Sequence, residues 1–225
     1  MSQRLLFSDS AAAADALTYS SRTAPLGDGA VRLRATGGVM AMTSAPLAPR
    51  GLLDPTPTVL GMRVLAVDPE LECDLVVEAS TLVRADDDPA AVVLPDSSVS
   101  AGWAGVAPPR AGWQQVGAFD AALLAERAQH GVTAVAGAMP ENPGEDVVRQ
   151  VRASIWGAPD AALDELPLGA AFAAYALGFL SGDESARVLT AASWTRITLE
   201  RGHVLVRRPA ASGLTAVRAT GRSSA

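Results

Sequence analysis

Lysine is absent from this chain of 225 residues, and all 18 of its basic side chains are arginine. That removes the P-loop lysine and the strand lysine of protein kinases. It also removes Schiff-base chemistry, including attachment of pyridoxal phosphate. A single cysteine, Cys73, rules out an intrachain disulfide and suits a reducing compartment, so a cytoplasmic location is expected. Its place in an alternating apolar run reads as a small buried hydrophobe. Only two histidines occur, His130 and His203, 73 positions apart. With Cys73 they offer at most three nitrogen or sulfur ligands, short of a structural zinc site. The acidic run Asp86-Asp87-Asp88 precedes Pro89 and reads as a solvated turn. No metal and no cofactor is therefore expected.

Other signals are missing too. There is no G-x-G-x-x-G fingerprint and no G-x-S-x-G elbow. Met1 to Ser10 lacks a basic stretch followed by an apolar one, so no signal peptide is expected. The longest apolar run, Leu166 to Leu180, is too short to span a bilayer. No repeat of 20–50 residues is discernible.

What remains is a globular composition, with 49% hydrophobic and 19% charged residues and a formal net charge of -6. A mildly acidic chain is not a general phosphate binder. The charge is unevenly spread. Residues 68–88 hold eight acids against Arg84 alone, whereas residues 183–225 hold seven arginines against Asp183, Glu184 and Glu200. Two surfaces of opposite sign follow, and with them the option of self-association or of an anionic partner for the tail.

Ser8 to Ser20 reads as a short helix capped by Ser8 or Asp9. Val31 to Ala35 alternates apolar and charged residues, Gly37-Gly38 breaks it as a hairpin would, and Val39 to Ser44 is the return strand. After a proline-rich loop, Thr58 to Val67 is a more apolar strand. Leu71, Cys73, Leu75 and Val77 alternate with acids, so one face is core and the other acidic, with Arg32 and Arg34 placed to pair across it. Ala90 to Leu94 is a further short strand. Helices are expected from Asp120 to His130, from Pro143 through Ile155, from Pro167 onward, and over Glu184 to Ala192. Thr195 to Leu199 and Val204 to Arg208 form a hairpin around Arg201-Gly202, pairing Leu199 with Val204 and Ile197 with Val206. Residues 210–225 are weakly patterned.

Residues 95–118 follow neither period and are rich in Gly and Pro. Within them Ala101-Gly102-Trp103 recurs as Ala111-Gly112-Trp113, with Pro108-Pro109-Arg110 between. Two large rings beside a guanidinium suit a ligand or partner, so Trp103, Arg110 and Trp113 are the candidate ligand-binding residues. The competing role for both rings is to pin the segment onto the core.

The expected fold is α+β: an N-terminal antiparallel β-sheet, a helical segment, and a C-terminal β-hairpin that rejoins the sheet. Residues 1–225 read as a single domain, with a division into a β-rich 1–115 and a helical 116–225 as the alternative. No catalytic residues are assigned. With so few reactive groups, a non-catalytic partner- or ligand-binding protein is the leading reading, with a homo-oligomer or another protein as partner, nucleic acid disfavoured and no membrane. One alternative is a metal-independent hydrolase using Ser or Asp with His130 or His203. The other is a winged-helix regulator built on the arginine-rich end.

Overall fold

Short-range chemistry fixes the first elements. From farther along the chain, Val92 pairs antiparallel with Leu5 and ties this first segment down. Asp9 then accepts a hydrogen bond from the Ala12 amide (2.7 Å) and caps the first helix. Gly37 and Gly38, at φ +57° and +80°, supply the two left-handed residues of a tight hairpin. The computed structural model describes residues 4–51 and 53–208. In chain order its elements are β1 (Arg4–Leu6), α1 (Ser10–Thr23), β2 (Ala30–Thr36), β3 (Val39–Leu47), β4 (Thr58–Ala66), β5 (Cys73–Glu78), β6 (Val83–Arg84) and β7 (Ala91–Val93). They continue with β8 (Gln114–Asp120), α2 (Ala121–Ala138), α3 (Glu145–Gly157), β9 (Pro159–Asp160), β10 (Leu166–Pro167), α4 (Gly169–Ala176), β11 (Ser185–Ala191), β12 (Trp194–Leu199) and β13 (Gly202–Arg207). None of the described helices is long and apolar enough to cross a membrane.

The fold is α+β, and eight strands form one antiparallel sheet in the order β5-β2-β3-β4-β13-β12-β11-β8. Two three-stranded meanders, β2-β3-β4 and β11-β12-β13, meet where their last strands pair, with Gly61 of β4 opposite Val204 of β13. Helices precede each meander and cover the same face. Tyr19 of α1 bonds to the Gly61 carbonyl and the Ser44 hydroxyl, both at 2.8 Å, and its ring stacks near Phe179, which follows α4. Burial raises the Tyr19 phenol above its ordinary range. Any side chain at Gly61 would meet Leu177 and Phe179 from the second half. The main core thus lies between helices and sheet across both halves, from Val31 and Leu33 to Ile197 and Val204.

The acidic strand behaves as its alternation predicts. Val77 is buried, and Arg32 forks onto Asp74 (2.7 and 2.8 Å) while Arg34 stands directly opposite it. Three expectations need correction. Residues 184–192 are not a helix but strand β11: Ala186 and Val188 point inward while Arg187 points out, and pairing with β8 and β12 overrides the local preference of an Ala-rich stretch. No recognition helix exists there, so the winged-helix arrangement is not formed. The C-terminal hairpin turns at Glu200-Arg201, which pairs Leu199 with Gly202 and Ile197 with Val204. The slip from the expected register is two residues, so each side chain keeps its face. The helix expected to end at His130 runs on to Ala138, and within it the bare backbone of Gly131 lets Trp156 of α3 lie against the helix. The stretch 210–225 lies outside the described residues.

Candidate functional site

Among the described residues, no α-helix packs on the sheet's other face. Its residues include Asp74 and Val76 of β5, Arg32 and Arg34 of β2, Thr43 of β3, Leu60 and Met62 of β4, His203 and Leu205 of β13, Trp194, Arg196 and Thr198 of β12, and Arg187 and Leu189 of β11. Part of it is covered by residues 99–113. The Val99 amide bonds to the Val76 carbonyl (2.8 Å), and Arg32 donates to the Ala104 carbonyl (2.6 Å). A turn of 3-10 helix at Gly102–Gly105 presents Trp103 to the sheet.

The three sequence-picked residues have different surroundings. Trp103 is 6% exposed, packs in a second apolar cluster with Ala30, Ala45, Leu60, Trp194 and Leu205, and donates its indole N–H to Asp28 (2.8 Å). Trp113 is half-buried at the border of that cluster, and its N–H goes to the Pro109 carbonyl (3.0 Å). The guanidinium carbon of Arg196 lies 4.5 Å from the Trp113 ring centroid, a cation–π contact. Arg110 is exposed and faces the opposite end of the sheet, where it lines a cavity of about 480 Å³ with Arg34, Thr36, Glu72, Cys73 and Asp74. Burial, and the adjoining Asp74 and Glu72, push the Cys73 thiol up. The two tryptophans thus share one apolar cluster, and Arg110 stands apart from it.

Beside Trp113 stand Arg187, Arg196 and Thr198, which sequence reasoning did not single out, and His203, which it named only for the hydrolase alternative. Thr198 sits opposite both Arg187 and His203, and Arg196 lies two residues before it on the same face. Arg196 Nε, Thr198 Oγ1 and His203 Nδ1 are buried without a hydrogen-bond partner. Among the described residues, neither Arg187 nor Arg196 has a carboxylate within salt-bridge distance. Burial holds the Arg196 guanidinium below its usual value, with Arg187 adding to the effect. His203 is held down to about 4 by burial first, then by Arg196, Arg187 and Arg63. The signal was there as the alternation Trp194-x-Arg196-x-Thr198, but reading 184–192 as a helix kept Arg187 from its row.

His130 is exposed on α2 and lines a cavity of about 550 Å³ together with Arg127, Ser154 and Asp160. The buried Asp160 is committed elsewhere, to Arg127 (2.6 and 3.0 Å) and the Ala162 amide (2.9 Å). Ser154 donates to the Val151 carbonyl. Of the acidic turn, Asp87 pairs with Arg4 and Asp88 accepts from the Ala90 amide.

Residues 1–105 match the model of a domain of unknown function, DUF8010, and residues 108–211 match that of a second domain of unknown function, DUF8185. Comparison with curated proteins gave no match. Among solved structures the chain resembles a protein described as a DNA polymerase III beta subunit from Eubacterium rectale, with TM-score 0.52 and 8% identity over 92% of this chain and 65% of that one. It also resembles the DNA polymerase III beta sliding clamp from Bartonella birtlesii, with TM-score 0.50 and 11% identity over 91% and 64%. The sliding clamp from Caulobacter crescentus aligns at TM-score 0.48 and 14% identity, over 100% of this chain and 70% of that one. The chain spans just under two thirds of the length of the first two, and what it shares with them is the α+β fold.

Proposed function

We propose that the protein is a non-catalytic binding scaffold whose first partner is another copy of itself. The observation that carries this reading is the segregation of charge along the sheet. At the β5 end, Glu70, Glu72 and Glu78 are exposed. In the second half of the sheet, Arg187 of β11, Arg201 at the β12–β13 turn and Arg207 of β13 are exposed. Opposite charge on the two halves favours a head-to-tail contact between copies, and a non-isologous contact of that kind closes into a ring or runs on as a chain. The outermost strand β8 adds an open edge, solvent-exposed except at Phe119. Its bulge residue Val116 is 62% exposed and faces no residue of β11. A bulge weakens continuous strand pairing, so the contact rests on charge more than on backbone bonds. The clamps of similar fold are named as polymerase subunits, which accords with a scaffold role.

Light scattering coupled to size exclusion tests it. The chain is expected to be a dimer or larger at about 10 mM salt, where the Debye length is about 30 Å, and to dissociate as salt rises. Arg201→Glu with Arg207→Glu should yield monomer, and mixing with a Glu70→Arg, Glu72→Arg chain should restore assembly. A monomer at every salt and protein concentration would refute the reading.

One observation favours the hydrolase alternative, namely the shared cavity of His130, Ser154 and Asp160. Esterase activity abolished by both His130→Gln and Ser154→Ala would favour it over the scaffold.

A further inference from the structure

On the face of β11, β12 and β13 turned away from the α-helices, four polar side chains occupy two adjoining rows. Arg187, Thr198 and His203 lie side by side across three strands, and Arg196 adjoins them one step along β12. Directly opposed residues in an antiparallel pair hold their Cβ atoms about 4.5–5.5 Å apart, so the four side chains are immediate neighbours. Three of its polar atoms, Arg196 Nε, Thr198 Oγ1 and His203 Nδ1, are shut off from solvent and bonded to nothing. Buried polar atoms are satisfied in the great majority of cases, and those that are not call for a missing partner.

The chemistry of the missing partner follows from what is present. Two guanidinium groups on neighbouring strands stand without an acid among the described residues. Leu189 and Leu205, opposite Arg196 on the flanking strands, give it apolar neighbours, and the Trp113 ring covers it from the loop side. A guanidinium partly shielded from water and without a counter-ion is poised for a forked acceptor. At the far end of the same face Arg32 has such an acceptor in Asp74. We propose that Arg187, Arg196, Thr198 and His203 form a binding site for a small oxyanion, a phosphate or carboxylate group, with Trp113 as its lid. The site needs no assembly of copies and stands independently of the scaffold reading.

The imidazole is a built-in reporter, because the chain has only two histidines. The charged groups that act on His203 are Arg196 and Arg187 on its own face and Arg63 of β4, and its neighbour across β4 is the uncharged Met62. NMR titration of the His203 ring in chloride buffer is expected to give a midpoint near 4. Inorganic phosphate should raise that midpoint by about one unit or more, since a bound anion favours the imidazolium. Citrate in place of phosphate reports the carboxylate class, and chloride at matched ionic strength must leave the midpoint unmoved. Arg187→Gln, at an exposed position, should raise the phosphate concentration required at least about tenfold, and Arg196→Gln should abolish the effect. An unmoved midpoint with both oxyanions, or equal responses in native chain and Arg187→Gln, would overturn the proposal. So would a midpoint that follows protein concentration and reverts in Glu70→Arg, since that assigns the cluster to a copy's acids instead.

Discussion

The two meanders of the sheet present the same face to the same side, yet treat their arginines in opposite ways. In β2 and β5, Arg32 forks onto Asp74, Arg34 stands against the same acid, and Thr36 donates to Glu72. In β11 to β13, Arg187 and Arg196 meet no acid among the described residues, and Thr198 and His203 keep unsatisfied atoms. Similar strands, facing similar solvent, differ in whether the chain supplies its own counter-ions. An exposed ion pair contributes little to stability, so the first arrangement chiefly orders the surface. A half-buried cation without a partner is a cost to folding that a bound anion would offset.

The sharpest way to break the contrast is to remove what keeps the β12–β13 region half-dry. Trp103→Ala empties a buried site shared with Leu60, Trp194 and Leu205 and leaves Asp28 with the Ala30 amide but without the indole donor. A loss of about 3–5 kcal/mol is expected in urea denaturation. A loss below about 1 kcal/mol would show that the segment is held by its backbone bonds instead.

Next in size is a pH effect confined to the second meander. His203 is held near 4 in the folded chain but titrates near 6.5 when unfolded, so its contribution is complete above about 6.5 and is lost as pH falls towards 4. In phosphate-free buffer about 3 kcal/mol should disappear across that window. The same scan on His203→Gln should be flatter, and identical curves would place the pH dependence elsewhere.

The smallest effect is one of sign. Arg32→Met should destabilise by up to about 1 kcal/mol through its lost pair with Asp74, whereas Arg196→Met should be neutral or stabilise by a similar amount. Destabilisation by both, measured by chemical denaturation, would dissolve the distinction between the halves.

The N-terminal meander was legible because its strands alternate cleanly and Gly37-Gly38 marks the turn. Arg32 and Arg34 could be set against the acids of β5 from spacing alone. The C-terminal one was harder. Ser185 to Ala191 carries two alanines and a leucine, good helix formers, and only its neighbours make it a strand. Gln114 to Ala118 escaped notice because an edge strand exposed on both faces has no apolar alternation to display. For the proposed site, the pattern of tryptophans beside an arginine singled out the loop that lies over the sheet. The cluster of unsatisfied polar atoms lies instead on β11 to β13 beneath Trp113, and bringing its members together depends on the strand register.

The seam between β4 and β13 has a consequence for how the chain is made. Val59 is paired with Val206, and Gly61 is closed over by Leu177 and Phe179. During synthesis β4 must therefore wait, with one backbone edge and an apolar flank bare, until nearly the last described residue has left the ribosome. Contacts of such long sequence separation form slowly and leave nascent strands exposed to wrong partners. A polypeptide with this topology should be a late, slow folder that leans on chaperones until its final strand arrives.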